Sequence, residues 1–122
     1  MEIEFIHITV VGLFLLKIAS GIWLRNKGRP IPIGLLNLHK FIALATIALL
    51  VMIVRRIYLM TGIEPLMLII LILATLFFLI AVISGGLLSL EKPAATPMKI
   101  VHKCMPVLTA LAILLFFYLI FR

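Results

Sequence analysis

Polar residues are sparse along this chain, and they are bunched. Four apolar runs, near residues 3–24, 37–59, 66–90 and 99–121, are separated by short stretches that collect prolines and many of the charges. Each run reaches the roughly 20 residues that a helix needs to cross bilayer hydrocarbon. None alternates apolar and polar positions as a barrel strand does, and backbone polar groups in lipid must be satisfied within the structure. The pattern predicts an all-α membrane protein, a four-transmembrane-helix bundle forming a single membrane domain over residues 1–122.

Composition agrees: of 122 residues, 66% are hydrophobic and 12% charged, which leaves almost nothing for a soluble domain. Glu2 and Glu4 stand where a secretory signal would be basic, and no small-residue cleavage site follows, so the first helix is expected to remain in place. Cys104 is the single cysteine. It excludes an internal disulfide, a thiolate pair for zinc or an iron–sulfur cluster, and a Cys-x-x-Cys-His haem attachment. As a small, weakly polar side chain it is expected to be a buried, inert thiol.

The formal charge of +7 reflects topology and not nucleic-acid binding, because the helices divide the basic residues among short connections. Arg25, Lys27 and Arg29 lie in the first connection with Lys40 just beyond it, and Lys92, Lys99 and Lys103 lie in or beside the third. The opposite side has Arg55, Arg56 and Arg122 with Glu2, Glu4 and Glu64 among them. The positive-inside rule then puts the first and third connections in the cytoplasm and both termini outside, in the plasma membrane of a bacterium or archaeon. Trp23 and Tyr58 read as interfacial anchors.

The halves repeat. At an offset of about 64 residues, Ile18-Ala19-Ser20-Gly21 at the end of helix one matches Val82-Ile83-Ser84-Gly85 at the end of helix three. The following helices open with His39-Lys40 and His102-Lys103, and each histidine is followed seven residues later by a threonine, Thr46 or Thr109. A repeat of two helices preserves direction, so the bundle consists of two parallel two-helix repeats about a pseudo-two-fold axis along the membrane normal. His39 and His102 then lie at equal depth in the first turn of their helices. Ser20, Gly21, Ser84 and Gly85 share nearly the same layer, where glycines let a flat macrocycle approach the backbone. Two imidazoles with such a slot are what a six-coordinate haem requires.

This arrangement resembles the small four-helix bis-histidine membrane cytochromes of the b five-six-one type. The resemblance covers nearly the whole chain in helix count and ligand placement. It implies one haem b between helices two and four with His39 and His102 as metal ligands, and an oxidoreductase-type electron exchange with a quinone or another small redox partner. A larger redox complex or a homo-oligomer is the implied setting. The family pattern of two histidine pairs is not met, since the chain has three histidines. His7 corresponds in the repeat to Leu71, which leaves one haem. Met67 matches His7 poorly in depth.

Each residue also has a plainer use. A histidine near a helix end can be an interfacial group, glycines can serve close helix packing, and the threonines can hydrogen-bond the preceding turn. Lys17, whose counterpart is Ala81, can snorkel to the surface or pair with an anion, either a haem propionate or a quinone head. Arg25, Lys40 and Lys103 compete for the propionate. Pro106, four residues after His102, removes the amide that would bond that histidine's carbonyl, where the first half has Ala43. No paired carboxylates, nucleophile with a base, or phosphate loop appears. The rival readings are a cofactor-free structural or assembly subunit, and a small metal or proton transporter using His7, Lys17, His39 and His102.

Topology is open to a direct check. Reporter fusions at the two termini should both report the outside face, and a cytoplasmic signal from either would reverse the side on which His39 and His102 lie.

Overall fold

The computed structural model describes residues 2–90 and 96–122, with side chains from residue 5 onward. Lys92 therefore lies outside the described residues, as do the side chains of Glu2 and Glu4. Four helices make up the described chain: α1 (Glu2–Lys27), α2 (Ile33–Thr61), α3 (Pro65–Leu88) and α4 (Thr96–Phe121). At 1.5 Å per residue they are roughly 36 to 44 Å long, and each is long and apolar enough to cross a membrane. The protein is an all-helical integral membrane protein with four candidate spans.

Local chemistry sets the helix ends, and it moves several of them away from the hydropathy boundaries. α2 begins at Ile33 and not near 37, directly after Pro32, whose extended backbone (φ −63°, ψ 114°) marks the turn into the helix. It stops at Gly62, where φ of 74° suits a residue without Cβ and the amide donates to the Tyr58 carbonyl. Pro65 occupies the first turn of α3, where its missing N–H costs nothing. α3 closes at Leu88, with the Ser89 amide donating to the Gly85 and Gly86 carbonyls. Because α2 and α4 start earlier than expected, His39 and His102 are each the seventh residue of their helices. They lie in the second turn, not the first, and their equivalence survives the correction.

The helices pair as α1 with α2 and α3 with α4, giving two compact units, residues 1–62 and 63–122. Each unit is a helical hairpin. The buried residues of α1 are Val10, Phe14, Lys17 and Ser20, spaced three or four apart, and each has a buried counterpart 64 places on: Ala74, Phe78, Ala81 and Ser84. In α2 the buried Thr46 and Ile53 recur 63 places on as Thr109 and Phe116. The repeat is thus one of burial as well as of sequence, and it includes a phenylalanine pair that the short motifs do not reveal.

Thr46 and Thr109, 0% and 1% exposed, donate to the carbonyls of Ile42 and Met105 at 2.7 and 2.8 Å. These hydroxyls are satisfied within their own helices, as expected of threonine in lipid. Many leucines, isoleucines and phenylalanines face outward, Phe5, Leu44 and Leu111 among them, which suits a surface solvated by acyl chains. Trp23 and Tyr58 are also exposed, in keeping with interfacial anchors.

In lipid, packing and not hydrophobic transfer holds helices together. Phe78→Ala should therefore cost on the order of 2 kcal/mol, below the usual soluble-core figure, while the exposed Leu76→Ala should be near neutral. Unfolding of both variants in mixed detergent tests this, and equal loss in the two would contradict the assigned packing face.

Candidate functional site

Near the connected end of each hairpin, a serine, a histidine and a backbone carbonyl come together. In the first unit, Ser20 lies one turn after Lys17 on the buried face of α1, and its Oγ is 3.0 Å from the Lys17 carbonyl and 2.7 Å from His39 Nδ1 of α2. In the second, Ser84 Oγ is 3.1 Å from the Ala81 carbonyl and 3.0 Å from His102 Nδ1 of α4. His102 Nδ1 also lies 3.0 Å from that same Ala81 carbonyl.

One of these contacts constrains a proton position. A carbonyl oxygen can only accept, so His102 Nδ1 must carry a hydrogen, which it shares between the Ala81 carbonyl and Ser84 Oγ. A serine hydroxyl has one proton. With that of Ser20 donated to the Lys17 carbonyl, Ser20 Oγ has lone pairs to accept from a proton on His39 Nδ1, and the same hydroxyl can instead donate to an unprotonated Nδ1. In a neutral ring a proton on Nδ1 places the lone pair on Nε2, the arrangement typical of a metal-ligating histidine whose other nitrogen is tied to an oxygen.

The glycine beside each serine explains how the ring fits. A Cβ built on Gly21 would lie 3.2 Å from His39 Cε1, and one built on Gly85 would lie 2.6 Å from His102 Cε1, against roughly 3.5–4.0 Å for comfortable carbon contact. Sequence reasoning reserves this space for a macrocycle edge; the structure gives it to the imidazole. Gly21 and Gly85 seat the histidines, and the Ser-Gly pairs act as one device: the serine takes the N–H, and the glycine makes room for the ring.

The remaining candidates are distributed around these clamps. Lys17 is 5% exposed, and its Nζ stands 5.9 Å from the centroid of the Phe14 ring, so it does not snorkel to the surface. Lys40, Lys103 and Arg25 are exposed, and the two lysines adjoin the histidines in sequence. His7 and Met67 are half-buried. Cys104 is exposed, contrary to the buried thiol expected, because it falls on a different face of α4 from His102. Among the described residues, no group of three or more His, Cys, Asp or Glu side chains comes together. Sequence reasoning missed the Ala81 carbonyl, which carries no side-chain signal, and the Phe14–Phe78 match, which the offset of 64 contains.

No family model matches the chain, and neither a curated protein nor a solved structure does. The class defined by fold is a four-span helical membrane protein in which each helical hairpin holds one serine-bound, glycine-seated histidine.

The two clamps differ in tightness, and mutation should show it. Gly85→Ala should displace the doubly hydrogen-bonded His102 ring and cost about 1–3 kcal/mol, whereas Gly21→Ala needs a shift of only a few tenths of an ångström and should cost less. Detergent-unfolding curves of the two variants rank them, and a more harmful Gly21→Ala would contradict the geometry.

Proposed function

We propose that the chain is a membrane electron-transfer protein that holds one b-type haem, with Nε2 of His39 and Nε2 of His102 as the axial ligands. The observation that carries this reading is the repeated contact of histidine Nδ1 with a serine Oγ across each hairpin, the kind of oxygen partner that metal-ligating histidines have on the nitrogen that does not bind the metal. A donor set of two imidazoles suits a metal that brings its other ligands with it, as porphyrin iron does with four pyrrole nitrogens. Bound haem supplies one-electron redox chemistry. The protein's part is to hold, orient and shield it.

In this reading the four spans form a bundle of two parallel repeats, in line with the resemblance to bis-histidine cytochromes of the b five-six-one type. Ser20, Gly21, Ser84 and Gly85 belong to the cofactor site through the ligands they seat. Lys17, Lys40 and Lys103 supply the cationic partners for propionates or for the head of a quinone or other small electron carrier. The buried Lys17 is the strongest of these, because a buried ammonium in a membrane span calls for an anion or a polar cavity. In this reading the chain acts as a redox module, either as an oxidoreductase in its own right or within a larger redox complex or homo-oligomer.

One observation favours a second reading. Each histidine already has a structural use, because a hydrogen bond between neighbouring helices in lipid contributes about 0.6–2 kcal/mol. A cofactor-free structural or assembly subunit would use the same clamps as helix staples.

The two readings separate on single mutants. His39→Ala and His102→Ala should each abolish the low-spin, six-coordinate haem spectrum, while His7→Ala should leave it intact. A wild-type-like spectrum in either ligand mutant would sink the assignment.

A further inference from the structure

The charges of the first hairpin are all of one sign. Residues 5–62 contain no Asp or Glu, so the hairpin's own side chains offer no carboxylate to a cation. Four exposed basic residues, Arg25, Lys27, Arg29 and Lys40, gather at its connected end. Arg25 and Lys27 belong to the last turn of α1, and Lys40 follows His39 in α2. Setting the direction of insertion requires only that basic residues lie near a connection. It does not require that they share a depth.

The hairpin geometry gives them one. A Cβ built on Gly21 would lie 3.2 Å from the His39 ring, so residues 21 and 39 stand at roughly the same level of two antiparallel helices. At about 1.5 Å per residue, Trp23 is about 3 Å nearer the connected end than Gly21, Arg25 about 6 Å and Lys27 about 9 Å, while Lys40 lies just on the deeper side. Helical side chains lean toward the N-terminus of their helix. Since α1 ends here and α2 begins here, that lean carries Arg25 and Lys27 toward the membrane interior and Lys40 away from it. Their long stems bring the three charges into a layer close to Trp23. Trp23 is the chain's single tryptophan and is 55% exposed, and an indole on a membrane helix marks the headgroup level. The anions at that level are lipid phosphates, and a cluster of four or more Lys and Arg side chains beside a membrane helix is the kind that holds acidic lipids.

We propose that the connected end of the first hairpin is a docking surface for acidic phospholipids, whose phosphates meet Arg25, Lys27 and Lys40 while the glycerol region lies beside the Trp23 indole. Arg29 adds its charge from the connection. The surface does not depend on the haem reading: Arg25 and Lys27 carry it, and a propionate held by Lys40 would leave those two to the lipid.

Trp23 is a built-in reporter for the test. The full chain is reconstituted in phosphatidylcholine vesicles containing equal fractions of either phosphatidylglycerol or phosphatidylcholine brominated at the same acyl positions, and quenching of Trp23 fluorescence is compared. The brominated phosphatidylglycerol should be enriched around Trp23 roughly fivefold over the brominated phosphatidylcholine, the factor expected of one basic side chain near an acidic lipid. Arg25→Gln with Lys27→Gln should bring the two lipids close to parity. Arg25→Lys with Lys27→Arg keeps the charges and should keep the enrichment. Arg55→Gln with Arg56→Gln removes the same charge at the far end of α2 and should leave the wild-type preference in place. Equal quenching by the two lipids in the wild type, or a preference that survives in the Arg25→Gln, Lys27→Gln variant, would overturn the proposal. A preference abolished by inorganic phosphate at matched ionic strength would assign the surface to a soluble anion and overturn the lipid as its occupant.

Discussion

Everything at the connected end of each hairpin depends on one requirement: the polar nitrogens of an imidazole placed in a lipid-embedded helix must find hydrogen-bond partners. Leaving a buried donor unmade costs about 1–3 kcal/mol, and the surrounding lipid chains offer no acceptor. The neighbouring helix offers each ring a serine Oγ as hydrogen-bond partner, joined in the second unit by the Ala81 carbonyl. For the ring to reach it, the two backbones must come close, which is possible because residues 21 and 85 lack a Cβ. Serine, glycine and histidine are therefore a single unit of design, and a change at any one of them acts through the other two.

The clamps repeat, but their surroundings do not. Position 17 is a buried lysine where position 81 is a buried alanine, His7 stands against Leu71, and Pro106 in α4 has Ala43 as its counterpart. The two halves thus share the elements that seat an imidazole and differ in charge and in the proline of α4.

Much of this was legible in the residues. The four spans follow from apolar runs too long and too continuous for anything but membrane helices, and the Ser-Gly and His-Lys pairs identify the clamp residues through their offset. What the sequence concealed was which atoms meet. The space beside a glycine can admit a cofactor, a packed helix or a side chain, and only the pairing of α1 with α2 and α3 with α4 assigns it to the histidines. The starts of α2 and α4 were read late because hydropathy underweights the stretch after Pro32 and around Pro97, where proline opens a helix and does not end it. Cys104 was expected to be buried from its residue type, but its helix face decides its exposure. The burial of Lys17 was out of reach for a similar reason: a lysine near a helix end has the stem to snorkel, and packing alone determines whether it does.

The central proposal is that the two clamped imidazoles bind one haem. Its most direct test is the absorption spectrum of the purified wild-type protein, oxidised and then dithionite-reduced, with haem and protein quantified in the same sample. The account predicts a low-spin, six-coordinate b-type spectrum at one haem per chain. Folded, monodisperse protein that shows no haem absorption even after expression with ample haem supply would contradict it, leaving the histidine clamps as helix staples in a cofactor-free membrane protein.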